Sequence, residues 1–133
     1  MRMPSQFPAI ALLSILSMGG LRAESAWAGH AWYEGGTLHT ETALAWQQAT
    51  AANKLATSAD FVTKAYAQKM LKPEIQASFR TIDDFRPYAK ELMLYLDAAT
   101  KPDPDAAKNR KIFGKQRISE LAVVGMLQLG WIR

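Results

Sequence analysis

The chain has 133 residues, a formal net charge of +4 and no cysteine. A chain of this length holds about one domain. The lack of cysteine excludes disulfide bonds, thiolate nucleophiles and cysteine-ligated metal centres. The stability of the domain must therefore come from packing and hydrogen bonding alone.

The N-terminal stretch is typical of a secretory signal peptide that covers residues 1–28. Arg2 supplies a small positive region, and the apolar segment Ala9–Leu21 is too short to span a bilayer as an ordinary helix. Residues 26–28 (Ala-Trp-Ala) match the small-x-small pattern of a cleavage site, which places the cut before Gly29. An uncleaved anchor is the alternative. We therefore expect a periplasmic or secreted protein.

Residues 29–133 are then expected to form a single helical domain with a net charge of +3, because residues 1–28 contain two arginines and one glutamate. A short helix is predicted to follow Thr40 or Thr42 and to end near Ala49. A longer amphipathic helix is predicted from Ala51 to about Leu71, with Thr50 as its N-cap and Lys72-Pro73 as its end. Its apolar side chains recur at steps of three or four and form the predicted inner face: Leu55, Ala59, Val62, Tyr66 and Met70.

The next helix is predicted to begin after Asp84, beyond a linker at residues 73–83. Thr81 is the alternative N-cap, but it would place Pro87 inside the helix, where proline costs ~3 kcal/mol. With Asp84 as N-cap, Pro87 falls in the first turn. A backbone N–H at that position has no hydrogen-bond acceptor within the helix, so proline, which has no N–H, loses no hydrogen bond there. This helix is expected to end near Ala99.

The segment 101–105, Lys-Pro-Asp-Pro-Asp, is predicted to be a rigid connection that also starts a helix. Asp103 is the expected N-cap and Pro104 the first helical residue. The helix is expected to end at Phe113, because Gly114 follows it.

The last predicted helix, Ile118–Ile132, is apolar on every side. Its ~15 residues fall short of the ~20 that span a membrane, so it is expected to be a buried core helix. On that basis Leu127→Ala should cost ~2–5 kcal/mol. No alternation with a period of two is long enough to indicate a strand. The predicted fold class is all-α, a small orthogonal or irregular bundle of four main helices with one short extra helix.

A basic stretch at residues 108–117 is the first candidate binding site. It contains five basic residues and no acidic one: Lys108, Arg110, Lys111, Lys115 and Arg117. Such a cluster can bind an acidic protein or an anionic membrane surface, or it can be a solvated helix end. Nucleic acid is disfavoured, because the protein is expected to be exported. We expect a protein partner.

A metal site near the new N-terminus is the second candidate. Four side chains with metal-binding groups lie within 12 residues of one another: His30, Glu34, His39 and Glu41. Imidazole and carboxylate suit zinc or copper, although this spacing matches no dedicated site. His30 and His39 are therefore the predicted ligands in an alternative interpretation, a helical bundle that binds a metal or a small ligand.

No catalytic residue and no cofactor are predicted. The carboxylates that could act in acid–base chemistry, Asp83, Asp84, Glu91 and Asp97, are assigned to helix capping or to the solvent side of a helix. Motifs for activated nucleophiles and phosphate-binding loops are missing from the sequence. The sequence thus indicates a non-enzymatic protein that acts by binding a protein partner, as accessory, chaperone-like and immunity or inhibitor proteins do.

Processing is the first testable prediction. Mass spectrometry of the exported protein should show an N-terminus at Gly29, because a small-x-small pair lies there at a suitable distance from the apolar segment. Ala28→Leu should block cleavage, since the bulky side chain replaces the small residue just before the cut. A cytosolic protein that keeps Met1 would contradict the predicted localisation.

Overall fold

The computed structural model describes residues 31–133, and helices cover 62% of this part of the chain. No β-strand is present within it, and Thr42–Arg117 and Leu71–Ile132 pair only as isolated bridges. The predicted all-α class is confirmed. The α-helices are α1 (Ala43–Gln48), α2 (Ala51–Ala67), α3 (Pro73–Gln76), α4 (Arg86–Ala99), α5 (Ala106–Phe113) and α6 (Ile118–Gln128).

Helix α3 is a single turn at a place where the sequence predicted a linker. The Lys72 carbonyl accepts hydrogen bonds from the N–H groups of Ile75 and Gln76, at 3.0 and 2.8 Å. Pro73 suits this position because the first helical residue has no N–H partner to lose. The Gln76 side chain donates to the Tyr66 carbonyl at 2.7 Å, which ties the turn to the end of α2.

Helix α2 begins at the predicted N-cap, since the Thr50 hydroxyl accepts a hydrogen bond from the Asn53 N–H at 3.1 Å. It ends earlier than predicted, because Lys69 adopts a left-handed conformation with φ of 59°. Lys69 and Met70 then donate to the carbonyls of Tyr66 and Ala65, at 3.0 and 2.9 Å, and close the last turn. Met70 was predicted to face inward, and it is instead exposed.

Helix α4 is preceded by a 3-10 turn, Ile82–Phe85, and its N-cap is Phe85 and not Asp84 as predicted. The Thr81 side chain accepts from the Asp84 N–H, while the Asp84 carboxylate accepts from the N–H groups of Thr81 and Arg80, at 2.9 and 2.7 Å. These backbone hydrogen bonds lower the pKa of the Asp84 carboxyl, because they favour its charged form. Thr81 is therefore the N-cap of the 3-10 turn and not of α4. Because α4 begins only at Arg86, Pro87 still falls in its first turn.

The core forms where α4 packs against both α2 and α6. Its largest fully buried apolar side chains are Trp46, Val62, Leu92, Leu96 and Ile118. Beside them, Phe79 and Phe85 stack with their ring centroids 4.1 Å apart, and Tyr66, Tyr88 and Trp131 join the cluster edge to face. The segment after α3 thus contributes to the core through Phe79.

Helix α6 is buried on one side only, which corrects the prediction of a helix buried all round. Its inner residues are Ile118, Ala122, Gly125 and Met126. Val123, Val124 and Leu127 are 43%, 41% and 45% exposed. An apolar composition shows that a helix can be buried on every side, but the neighbouring helices cover only one side here.

The helix α6 also ends earlier than predicted, at Gln128. Gly130 takes a left-handed conformation with φ of 82°, and the Trp131 N–H donates to the Met126 carbonyl at 2.9 Å. Beyond this stop, Trp131 and Ile132 are buried, and the Trp131 carbonyl accepts from the Lys72 N–H at 2.8 Å. The end of the chain is therefore attached to the loop before α3. Within residues 31–133, every helix is too short or too polar to cross a bilayer.

Two neighbouring residues of α6 test its one-sided burial. Met126→Ala should cost ~2–5 kcal/mol of unfolding free energy, because Met126 is buried. Leu127→Ala should cost ~1 kcal/mol or less, because Leu127 lies on the exposed side. Urea unfolding of the two variants measures both values. Equal large losses would mean that the outer side of α6 is covered within the folded chain.

Candidate functional site

The basic stretch lies on α5 and on the loop that connects α5 to α6. Lys108, Arg110 and Lys111 belong to the helix, and Lys115 and Arg117 to the loop. The side chains of all five residues are exposed. Lys108 and Lys111 are three residues apart, so they share one side of α5, and Arg110 lies to their flank.

The N-cap of α5 is Asp105, two residues later than the predicted N-cap, Asp103. The Asp105 carboxylate accepts hydrogen bonds from the N–H groups of Ala107 and Lys108, at 2.9 and 3.2 Å. Asp103, the predicted N-cap, instead accepts from the Asp105 N–H at 2.8 Å and forms a turn before the helix. The predicted end at Phe113 is confirmed.

A pair of side-chain amides holds α5 against the rest of the domain. Gln47 of α1 donates to Asn109 Oδ1 at 3.0 Å, and Asn109 donates to Gln47 Oε1 at 2.8 Å. Gln47 also donates to the Thr100 carbonyl at 2.9 Å. Phe113 is buried on the same side of the helix as Asn109. The basic side chains are therefore carried on an anchored support.

No ion pair neutralises the basic stretch within the described part of the chain. The ion pairs there are His39–Asp60 and Lys54–Asp97. Arg117 donates to the Thr40 carbonyl at 3.2 Å, a neutral acceptor. The stretch consequently presents an uncompensated positive charge to solvent.

The metal-site residues are only partly within the described chain. His30 lies outside the described residues, so its role as a ligand stays a prediction. His39 Nε2 is 2.7 Å from Asp60 Oδ2, and the imidazole ring meets the ring of Phe61 edge to face. Within residues 31–133, no three His, Asp or Glu side chains lie close enough together to hold a metal ion. One nitrogen of His39 thus contacts α2 from residues 31–42, the loop before α1, which we call the entry loop.

A second polar cluster was missed by sequence reasoning. Asp97 was assigned to the solvent side of α4, but its Oδ1 accepts from Trp46 Nε1 and from Lys54 Nζ, both at 2.9 Å. Trp46 is fully buried, so this carboxylate satisfies a buried indole N–H. The two partners come from α1 and α2, and no local pattern around Asp97 indicates them. Asp97 and Lys54 line a cavity of about 200 Å³ together with Gln47, Thr100, Lys101 and Pro102.

An apolar groove between α2 and α6 is the other feature that the sequence did not indicate. Its volume is about 200 Å³, and its walls are formed by Phe61, Lys64, Ala65, Gln68, Met70, Ser119, Val123 and Met126. Lys64 is the only charged residue among them. The groove exists because α6 turns only its inner side to the core.

Comparisons of the chain with family models, with curated proteins and with solved structures give no match.

The Trp46–Asp97 contact generates a stability prediction. Asp97→Ala should cost ~1–3 kcal/mol, because it leaves a buried indole N–H without an acceptor. Glu91→Ala is the matched control, since Glu91 is an exposed carboxylate on the same helix, and it should change stability by ~0.5 kcal/mol or less. Urea unfolding followed by tryptophan fluorescence measures both. Equal small effects would show that Asp97 is not needed to satisfy Trp46.

Proposed function

We propose that this protein is a small exported, non-enzymatic helical protein that binds an acidic protein partner through its basic stretch. The observation that carries the proposal is the exposed set of five cations, none of which has a carboxylate partner in the described part of the chain. Export rests on the signal-peptide pattern of residues 1–28.

Helix stability accounts for only part of this charge. Arg110 and Lys111 lie in the last turn of α5, where the helix dipole favours positive charge, and Arg117 has the Thr40 carbonyl as an acceptor. Lys108 lies in the first turn, where the dipole disfavours a cation. Lys115 lies beyond the helix and forms no ion pair with any residue from 31 to 133. These two lysines have no folding role that the structure explains, and an external anion would explain both.

The shape of α5 favours a protein partner over a membrane surface. A helix that lies on a bilayer needs a broad apolar face, but the only large apolar side chain that α5 exposes is Ile112. Opposite charge at the edge of a protein interface speeds association and selects the partner. A single exposed isoleucine among cations fits such an interface. Accessory, chaperone-like and immunity or inhibitor proteins all act by binding of this kind.

A triple substitution tests the proposal. Lys108→Gln, Lys111→Gln and Lys115→Gln together should weaken retention of an acidic protein from a periplasmic extract by about tenfold, if each exposed pair contributes ~0.5 kcal/mol. The weaker binding should also depend less on salt. Immobilised protein, a salt series and mass spectrometry of the retained proteins provide the measurement.

The control removes the same charge elsewhere. Lys69→Gln, Lys90→Gln and Lys101→Gln change three other exposed lysines and should leave retention unchanged. If both triple variants weaken retention equally, the effect comes from net charge alone, and this result would contradict a defined binding site. Retention on phosphatidylglycerol vesicles, without any retained protein, would favour the membrane surface instead.

A further inference from the structure

The outer side of α6 carries an apolar strip, which we define as Val123, Val124 and Leu127. These residues are adjacent on the helix surface, and each is more than 40% exposed. The charged residue on the same side is Glu120, one turn before Val123 and Val124. Scattered exposed apolar residues are ordinary, but a contiguous strip on one helix indicates an interaction surface.

The strip is continuous with the groove between α2 and α6, because Val123 belongs to both. The strip protrudes from the helix, and the groove is recessed beside it. An isologous contact requires a surface that is complementary to itself, with a protrusion and a recess related by a two-fold axis. This face of the protein has both elements side by side.

The charges on this face are also self-complementary. Lys64 lies on the α2 wall of the groove, and Glu120 lies on α6 beside the strip. Both side chains are exposed, and neither takes part in an ion pair within residues 31–133. A two-fold axis near Val123 would bring the Glu120 of one copy towards the Lys64 of the other, twice in the same interface.

We infer that the occupant of this face is a second copy of the chain. Each copy places Leu127 over the groove of its partner, and the two Glu120–Lys64 pairs set the register. Lys108, Arg110 and Lys111 lie on α5, which is not part of this face, so these three residues stay accessible in the dimer. The inference is independent of the proposed acidic partner.

Sedimentation velocity of the purified protein, from micromolar to near-millimolar concentration, tests this inference. The unmodified protein should pass from monomer to dimer within this range. Leu127→Glu should remain monomeric throughout, because dimerisation would bury the new negative charge against the groove of the other copy. Ile112→Glu is the matched control: Ile112 is also 45% exposed but lies on α5, and this variant should still form the dimer. Circular dichroism checks that each variant is folded.

A charge exchange gives a second and independent readout. Lys64→Glu and Glu120→Lys should each shift the monomer–dimer midpoint to about tenfold higher concentration, through like-charge contact. The double variant should restore the original midpoint. Each reversal also opposes a helix dipole, so the association constant is the quantity to compare and not the melting temperature.

The outcomes that overturn the inference are distinct. An unmodified protein that is monomeric at all concentrations would exclude the dimer. A dimer that survives Leu127→Glu would place the contact on another face. Failure of the double variant to restore association would exclude the Glu120–Lys64 pairing.

Discussion

The close contact between α4 and α6 determines much of the remaining structure. A Cβ atom on Gly125 would lie 2.7 Å from the Tyr95 ring and 3.2 Å from a Leu92 methyl, so only glycine fits at this point without displacing a neighbour. With Ala122, it gives α6 an inner side made partly of small residues. The larger residues Val123, Val124 and Leu127 are left outside. The exposed apolar strip is thus a consequence of how closely the two helices approach.

The two candidate surfaces differ in chemistry and in how they are attached. The basic stretch lies on a short helix that is anchored by one buried aromatic residue, Phe113, and by the paired amides of Gln47 and Asn109. The apolar strip lies on a helix that belongs to the core. In the proposed interactions, charged contacts at the first surface would contribute mainly to association rate and selectivity, whereas apolar burial at the second would contribute to affinity. Lys108, Arg110 and Lys111 lie on α5 and the apolar strip lies on α6, so the two proposed interactions do not compete for these residues.

Polar contacts add to the apolar core in holding the elements of the fold together. Asp97 links α4 to Trp46 of α1 and Lys54 of α2, and Lys54 lies 5.7 Å from the centre of the Trp46 ring. The His39–Asp60 contact attaches the entry loop to α2 in a similar way. Both contacts use titratable side chains, and each joins two elements that are far apart in the sequence.

Four features could be predicted from the amino-acid sequence: the all-α class, the Thr50 cap, the position of Pro87 in a first turn and the end of α5 at Phe113. These features depend on residues within about one helical turn of each other, where backbone geometry and local hydrogen bonds decide the outcome. The exposure of the basic stretch also follows from its composition. The buried side of α6 and the partners of Asp97 and His39 could not be predicted in this way, because they depend on how the helices pack. Those outcomes depend on groups far apart in the chain, such as Trp46 and Asp97 at a separation of 51 residues, and no local pattern encodes which surfaces meet.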